Sequence, residues 1–231
     1  MNKFVHLHVH SHYSILDGMS KVNELVDKAV ANGMNALALT DHGTMFGIKE
    51  LFDYANKKNG KVKDEIKQLK AQIEDLKAQG GAESEITALQ SKIEECQSHI
   101  FKPILGCETY VARRTRFDKS TKEDGSGHHL ILLAKNKKGY QNLCKLISAA
   151  WIDGYYYRPR IDKDILDKYK EGLIVSTACL GGEIPQKILS GDIEGAEQSI
   201  RWFKERFGDD FYLELQRHKT DVPQAMEVYE K

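Results

Sequence analysis

Cysteine is scarce in this sequence, and the few cysteines form no recognisable motif. Four occur in 231 residues, and no two of them have CxxC spacing: Cys96, Cys107, Cys144 and Cys179. This spacing argues against a zinc ribbon and against a disulfide framework. It fits a protein of the reducing cytosol.

Long apolar runs and an excess of charge are also missing. No stretch of about 18 apolar residues occurs, and the N-terminus lacks a charged-then-apolar leader, so we expect a soluble, unexported, cytoplasmic protein with no membrane partner. The 34 basic residues balance the 34 acidic ones. The protein therefore has no overall electrostatic field that would attract nucleic acid or membranes, and such binding would need a local patch of basic residues. The apolar share of 41% suffices for a core, and the length fits one large domain or a domain with an appendage.

Histidine, by contrast, is concentrated near the N-terminus. Four of the nine histidines lie in residues 6–12, and the interleaved apolar residues from Phe4 to Val9 predict a strand. Alternate side chains of a strand share a face, so His8 and His10 project together. Two imidazoles spaced in this way offer two nitrogen ligands to one metal ion, and they suit zinc, iron or manganese. The alternative is that these are solvated surface histidines, but four histidines within seven residues make this less favoured.

The next elements follow the order of a parallel βαβ unit. Apolar residues at three- and four-residue spacing predict a helix from Val22 to about Gly33. Residues 36–40 are apolar enough for a strand buried on both faces, and this strand ends in Asp41-His42-Gly43. Sites in barrels and open α/β sheets are built at the carboxyl ends of strands. Asp41 and His42 are therefore candidate site residues.

The composition changes after a predicted helix at residues 45–57. From Lys61 to Gln97 the chain contains almost only Lys, Glu, Gln, Ala, Asp, Ile and Leu, with apolar residues at alternating three- and four-residue steps on both sides of Gly80-Gly81. This pattern predicts an antiparallel helical hairpin over residues 61–98, inserted within the domain. It is either a partner-binding arm or a tolerated insertion, and the second is favoured because an insertion that leaves and re-enters at nearby points costs little.

The strand at residues 102–111 carries one carboxylate, Glu108, in apolar company. A buried glutamate is costly unless it is paired or bound to a metal. Its presence therefore points to a site.

The next strand begins at His128-His129, so His129 joins such a site only if this strand runs opposite to its predecessor or the ring turns inward.

Two later segments are basic. Residues 113–127 form a polar loop with Arg113, Arg114 and Arg116, which is a solvated loop or a phosphate-contacting patch. Residues 155–160 interleave three tyrosines with Arg158 and Arg160, as a nucleic-acid-binding strand does, although a loop folded onto a barrel rim is equally compatible. Beyond them we predict a buried strand at 172–176, helices near 184–190 and 193–207, a strand at 211–215 and a terminal helix.

Side chains capable of metal binding fall mostly at or just beyond the carboxyl ends of these strands. They are His8, His10, Asp17, His42, Glu108, His129 and Cys179. So large a set exceeds what one zinc ion needs. It suggests two or more ions, which together can bind a phosphoryl oxygen, generate a metal hydroxide and steady the leaving oxygen.

Six ordered motifs resemble the N-terminal PHP (polymerase and histidinol phosphatase) domain of bacterial replicative DNA polymerase III alpha subunits. They are HLHVHSHYSILDG at 6–18, ALTDHGTMFG at 38–47, KPILGCE at 102–108, HLILLAK at 129–135, GYQNL at 139–143 and STACLGGEIP at 176–185. The resemblance covers the whole chain except the helical hairpin.

The resemblance implies an α/β fold, a distorted (β/α)7 PHP barrel over residues 1–231 with a metal site at its C-terminal face. By motif it places metal ligands at all seven positions named above. Asp41 would orient His42 or a bound water from the second shell. The family's final Asp-x-His pair has no counterpart in the sequence, so we expect a barrel truncated at its last strand and an incomplete site.

The resemblance also implies cofactors and partners. Zinc, or manganese or iron, would bind as two or three ions in the complete domain. The partners would be the remainder of the polymerase alpha subunit, a proofreading exonuclease subunit and, through the holoenzyme, the sliding clamp and DNA. The polymerase's own palm, fingers and thumb are absent, so this chain alone should not extend a primer.

Three functions remain open on the sequence. The first is a phosphoesterase-type site that contributes metal-dependent 3′–5′ exonuclease activity to a DNA-directed DNA polymerase. The second is a structural and partner-docking module without catalysis. The third, a stand-alone phosphatase of small phosphate esters, is disfavoured by the replicative-type segments at 139–143 and 155–160.

Overall fold

A computed structural model describes residues 4–15 and 17–216. The terminal helix and His218 lie outside this range. The described helices and strands are, in chain order, α1 Val22–Ala31, β1 Ala36–Leu39, α2 Phe46–Ala78, α3 Glu83–Ser98, β2 Lys102–Ala112, β3 Gly127–Ala134, α4 Lys137–Ile152, β4 Tyr155–Tyr156, β5 Arg158–Ile161, α5 Lys163–Lys168, β6 Leu173–Ser176, α6 Glu183–Leu189, α7 Ile193–Phe207 and β7 Phe211–Tyr212. No helix within the described residues is long and apolar enough to cross a membrane.

The chain divides into two compact units. The first consists of the described parts of Met1–His6, Ser20–Leu37 and Lys49–Pro103. The second consists of the described parts of Leu7–Met19, Ala38–Ile48 and Ile104–Lys231. All of the candidate site residues belong to the second unit.

The first unit contains the hairpin. Helix α2 is one continuous helix of 33 residues, so the predicted break between a helix ending near 57 and a hairpin arm starting at 61 is wrong. Gly60 does not end the helix, because one glycine costs a helix only about 1 kcal/mol. Asn59 also fixes this stretch, since its side chain donates to the Phe101 carbonyl at 2.8 Å and accepts from the Phe101 amide at 2.9 Å.

The predicted periodicity of the hairpin is present in its packing. Ile66 and Ile73 of α2 form one buried apolar cluster with Ile86 and Ile93 of α3. Gly80 takes the left-handed conformation, φ +72°, that ends α2 and begins the turn. The helical hairpin is therefore observed, and its status as an insertion within the domain stays a prediction.

The second unit is built on a mixed sheet. Among the described residues its strand order is β4-β5-β2-β3-β6-β7, and β1 also pairs with β2. Strand β3 runs antiparallel to both of its neighbours, β2 and β6, whereas β5 is parallel to β2. The main apolar core lies between this sheet and helices α4 to α7, and it includes Leu132, Leu143, Val175 and Phe203.

The strand predicted from Phe4 to Val9 does not form. Residues 4–10 belong to no strand. The Val9 amide donates to the Thr40 hydroxyl at 2.9 Å, and the Thr40 amide donates to the Val9 carbonyl at 2.8 Å. One residue of pairing is too little for a ladder. His8 and His10 nevertheless turn toward the same partner, as described below.

A largely buried carboxylate, 12% exposed, joins helices α5, α6 and α7. Glu183 Oε1 accepts from Lys163 Nζ at 2.8 Å, Lys187 Nζ at 2.9 Å and Ser199 Oγ at 2.7 Å. Burial alone would raise its pKa, but these donors lower the pKa of Glu183 to about 2. Because the folded-state pKa is depressed, the charged group stabilises the fold above its ordinary pKa near 4.5, and this contribution is lost as the pH falls toward 2.

We expect Glu183→Gln to lower the free energy of unfolding by about 2 to 3 kcal/mol at pH 7, since one unit of pKa corresponds to about 1.4 kcal/mol. The difference from the wild type should shrink steadily between pH 4.5 and pH 2. Urea unfolding at several pH values measures this. Glu197→Gln, at an exposed pair with Arg201, is the matched control and should change little. A Glu183→Gln deficit that is independent of pH would contradict the prediction.

Candidate metal centre

One buried carboxylate collects four imidazoles. Glu108, which is 1% exposed, directs Oε2 at His8 Nε2 (3.0 Å), His10 Nε2 (2.6 Å) and His42 Nδ1 (3.2 Å). Its other oxygen, Oε1, lies 2.8 Å from His129 Nδ1. Four histidines from distant parts of the chain therefore meet at the two oxygens of a single glutamate.

Asp17 closes the solvent side of the cluster. Its Oδ2 lies 2.5 Å from His10 Nδ1 and 3.1 Å from His42 Nε2. Its side chain is half exposed, whereas Glu108 is buried. His10 and His42 thus each lie between an inner and an outer carboxylate, and the outer one is open to water.

Cys179 lies at the other end of the cluster. Its Sγ is 3.4 Å from His129 Nδ1 and 3.8 Å from Glu108 Oε1. The thiol also accepts from the Gly181 amide at 3.4 Å. All seven of the side chains predicted as ligands are therefore near Glu108 or its histidines.

Strand pairing explains the convergence. His42 forms a parallel bridge with Glu108, and the Gly43 amide donates to the Glu108 carbonyl at 2.8 Å. On the opposite edge of β2, the antiparallel register sets His129 across from Tyr110, two residues from Glu108. His129 starts its strand yet reaches the site, because β3 runs opposite to β2.

Charge in the cluster is distributed between the glutamate and the histidines. Burial alone would raise the pKa of Glu108, but hydrogen bonds from His10, His129 and His8 lower it strongly. Burial alone would lower the pKa of His8 and His129, but their carboxylate and thiol partners raise these values to about 10 and about 9. Burial dominates at His42, whose pKa is lowered.

The arrangement of nitrogens and oxygens suits metal binding better than hydrogen bonding within the cluster. Three nitrogens face a single oxygen, Glu108 Oε2, which has only two lone pairs to share. His42 Nδ1 is buried and lies 3.2 Å from that oxygen, yet it makes no hydrogen bond with the described residues. Imidazole nitrogens, carboxylate oxygens and a thiol are the ligands that zinc prefers.

Three groups of side chains have one ligand atom each within 4.8 Å of the others and could hold an ion: His8, His10 and Glu108; His10, Asp17 and His42; His42, Glu108 and His129. Glu108 belongs to two of these groups, and its two oxygens face different histidines. A carboxylate placed in this way would help to hold an ion in either group. Cys179 lies outside the three groups.

Sequence reasoning missed Glu214. Its Oε1 lies 2.7 Å from His8 Nδ1, and its Oε2 accepts from Ser176 Oγ at 2.8 Å. A carboxylate on the second nitrogen of a metal-binding histidine fixes the tautomer and orientation of the ring. The available signal was a glutamate within the predicted strand at 211–215, but its partner is 206 residues away.

Asp41 contacts Ser11 and Ser14, and its catalytic role of orienting His42 or a bound water stays a prediction. It is 2% exposed, and its oxygens accept from the Ser11 amide and hydroxyl and from the Ser14 hydroxyl at 2.7 to 3.1 Å. The Ser14 hydroxyl in turn accepts from the His42 amide at 3.0 Å. Asp41 therefore fixes the 11–14 turn and, through Ser14, the backbone of His42.

Three of the five arginines predicted to contact nucleic acid are engaged within the protein. Arg160 is fully buried and donates to four backbone carbonyls, so the prediction is wrong for this residue. Arg114 pairs with Asp124, and Arg116 pairs with Asp162. Arg113 and Arg158 are exposed, and for them contact with nucleic acid stays a prediction.

Comparison with known proteins identifies relatives for nearly the whole chain. The chain is 43% identical over 218 residues to DNA polymerase III subunit alpha of Borreliella burgdorferi, and 40% identical over 220 residues to that of Treponema pallidum. The subunit of Aquifex aeolicus is 40% identical over 219 residues. These alignments cover 92 to 94% of this chain but only 15% of each relative. The chain therefore corresponds to a small part of these subunits.

A solved structure from Bifidobacterium adolescentis, named as a proposed metal-dependent phosphoesterase, aligns with 99% of this chain at 11% identity and a TM-score of 0.42. At that TM-score the likeness says nothing further about the chain.

The family comparison is decisive. The model described as "PHP domain" matches residues 6–218, which includes every side chain of the cluster. The resemblance to the PHP domain of DNA polymerase III alpha subunits and the α/β PHP fold class are thereby confirmed. This chain belongs to the PHP domain family.

Proposed function

We propose that this chain is the PHP domain of a replicative DNA polymerase III alpha subunit and that its histidine cluster is a multinuclear metal site of phosphoesterase type. The observation that carries the proposal is the convergence of four imidazoles on the buried Glu108. The relatives and the family match support the polymerase context. The remainder of the subunit, a proofreading exonuclease, the sliding clamp and DNA would be its partners.

The residues that would hold the ions are His8, His10, Asp17, His42, Glu108, His129 and Cys179. Zinc, manganese or iron suits this mixture of nitrogen, oxygen and sulfur donors, and the three overlapping groups would take two or three ions. When bound, such ions polarise a phosphoryl group and lower the pKa of a bound water to near neutrality.

The protein's own residues prepare the site. Glu108 supplies the buried negative charge, and Glu214 orients His8 through its second nitrogen. Asp41 holds the 11–14 turn, which directly follows His10 in the chain. The half-exposed Asp17 leaves the group of His10, Asp17 and His42 accessible to a substrate from solvent.

The test of activity uses the full-length alpha subunit and a primer with a 3′ mismatch. We expect His8→Ala and His42→Ala each to abolish metal-dependent removal of the mismatched nucleotide. His99→Ala, an exposed histidine at the end of the hairpin, is the matched control and should retain the activity. Exonuclease activity that persists in both site variants would contradict the proposal and favour the partner-docking function.

Glu214→Gln separates positioning from ligation. The substitution removes the negative charge of Glu214, which faces His8 Nδ1, and keeps the size of the Glu214 side chain. It should weaken metal binding about 10- to 100-fold, the range for residues that orient a metal ligand. Competition with a chromogenic chelator measures the affinity. Glu205→Gln, an exposed glutamate on α7, is the control. If Glu214→Gln binds metal with wild-type affinity, the hydrogen bond between Glu214 and His8 does not contribute to metal affinity.

A further inference from the structure

Arg158 is an exposed cation without an ion pair among the described residues. Its neighbours in sequence and in the basic loop are engaged: Arg160 with backbone carbonyls, Arg116 with Asp162 and Arg114 with Asp124. In the described part of the chain, the ion pairs of the histidine cluster join imidazoles to carboxylates and include no lysine or arginine. Within the described residues, Arg158 is therefore a positive charge that no carboxylate neutralises.

The position of Arg158 links it to the cluster through one ring. Its guanidinium lies 5.7 Å from the centroid of the Tyr110 ring. The same ring stacks on His42 at 5.7 Å and meets His129 edge-on at 5.2 Å. Strands β2 and β5 are parallel with Tyr110 opposite Arg160, so Arg158 begins β5 on the side toward Glu108. The Arg158 guanidinium thus lies over a ring that contacts two of the candidate metal ligands.

A stacked aromatic pair lies next to the same strand, since Tyr155 pairs with Pro159, which follows Arg158 in the chain. Trp151 and Tyr155 stack with ring centroids 5.5 Å apart and planes 15° apart, and they are 45% and 49% exposed. The indole Nε1 donates to the Gly43 carbonyl at 2.8 Å, next to His42 in sequence. The pair is therefore anchored to the loop that carries a cluster histidine, and its outer surface is open to solvent.

We propose that Arg158 and the Trp151–Tyr155 pair form the entry for a single-stranded DNA end at the cluster. Arg158 binds a backbone phosphate, because guanidinium groups form strong charge-assisted bonds to phosphate oxygens. The aromatic pair takes a base on its exposed surface, because bases stack on aromatic side chains regardless of sequence. The inference rests on the proposed function and assigns the residues that bind the nucleic-acid end, since a small phosphate ester without a base would make no use of the stacked pair.

Two probes separate the two contacts: inorganic phosphate and a fluorescent oligodeoxythymidine of about eight nucleotides. Arg158→Ala should weaken binding of both about tenfold and should reduce the salt dependence of oligonucleotide binding by about 0.7 in the log–log slope, the value for one phosphate on a single strand. Tyr155→Ala should weaken the oligonucleotide about 5- to 100-fold and leave phosphate unchanged. Tyr155→Phe should bind both as the wild type does. Arg201→Ala, an exposed arginine on α7, is the matched control.

The outcomes distinguish this inference from the proposed function because metal content is measured on the same samples. Wild-type binding of both probes by Arg158→Ala would overturn the inference, even in protein that retains its metal. Equal oligonucleotide binding by Tyr155→Ala and the wild type would overturn the assignment to nucleic acid. Protein that contains no metal but still binds the oligonucleotide through Arg158 would support the inference and refute the metal site.

Discussion

Glu108→Gln is expected to remove bound metal from this protein. The substitution keeps the size of the side chain but removes the buried negative charge on which His8, His10, His42 and His129 converge. It also turns an amide NH₂ toward nitrogens that would otherwise face an acceptor. We expect the affinity for zinc to fall at least about 100-fold, beyond the 10- to 100-fold typical of losing a partner that only orients a ligand. Elemental analysis after exhaustive dialysis is the direct measurement.

A second variant keeps this prediction independent of folding, because Glu108 is buried and its loss could also weaken the fold. Asp17 is half exposed, so Asp17→Asn should leave stability unchanged and still reduce the number of ions bound. Glu94→Gln on the hairpin is a distant control. Glu108→Gln and Asp17→Asn proteins that both hold as much metal as the wild type would rule out a site at this cluster.

Arg160→Met is expected to have the largest effect on stability. The side chain is fully buried, and its guanidinium donates to the carbonyls of Gly154, Asp124, Arg116 and Asp118 at 2.5 to 3.1 Å. It thereby ties the 113–126 loop and Gly154, which precedes β4, to strand β5. Removing the guanidinium takes this donor from the carbonyls of Asp124, Arg116 and Asp118, whereas the Gly154 carbonyl still accepts from the Arg160 backbone amide at 3.3 Å. We expect the free energy of unfolding to fall by about 3 to 5 kcal/mol.

The control for this prediction lies two residues away. Arg158→Met, on the same strand but exposed, should change the free energy of unfolding by less than about 0.5 kcal/mol. Arg160→Lys should lose most of the stability lost by Arg160→Met, because one ammonium cannot reach the acceptors that the planar guanidinium serves. Urea unfolding of the three variants tests this, and similar midpoints for Arg160→Met and the wild type would show that the carbonyls find other donors.

The arginines mark the limit of what sequence patterns distinguish. Five arginines in two basic segments are candidates for contacting nucleic acid: Arg113, Arg114, Arg116, Arg158 and Arg160. Burial separates them: Arg160 is enclosed and serves backbone carbonyls, whereas Arg158 is exposed over Tyr110. Burial depends on how the 113–126 loop and β5 pack, which no pattern within either segment encodes.

The chemistry of the ligands, by contrast, is evident in the amino-acid sequence. Histidines at alternate positions 8 and 10, the Asp41-His42 pair after a buried strand, and a lone glutamate in an apolar strand are each unusual enough to predict a site. Local periodicity likewise predicts the helical hairpin, because the side chains of each arm repeat along one face of a helix. It misplaces the start of the hairpin, because nothing local marks a boundary inside one continuous helix.

The sequence by itself determined which residue types can bind metal, the family to which they belong and the elements that local periodicity defines. Only the tertiary structure decided that His129 reaches Glu108, because that requires β3 to run antiparallel to β2. It also decided that Glu214 holds His8 and that Asp41 serves the 11–14 turn. The physical reason is that periodicity reports the face of an element, whereas the partner of a side chain depends on strand order and direction, which bring together residues that are far apart in the chain.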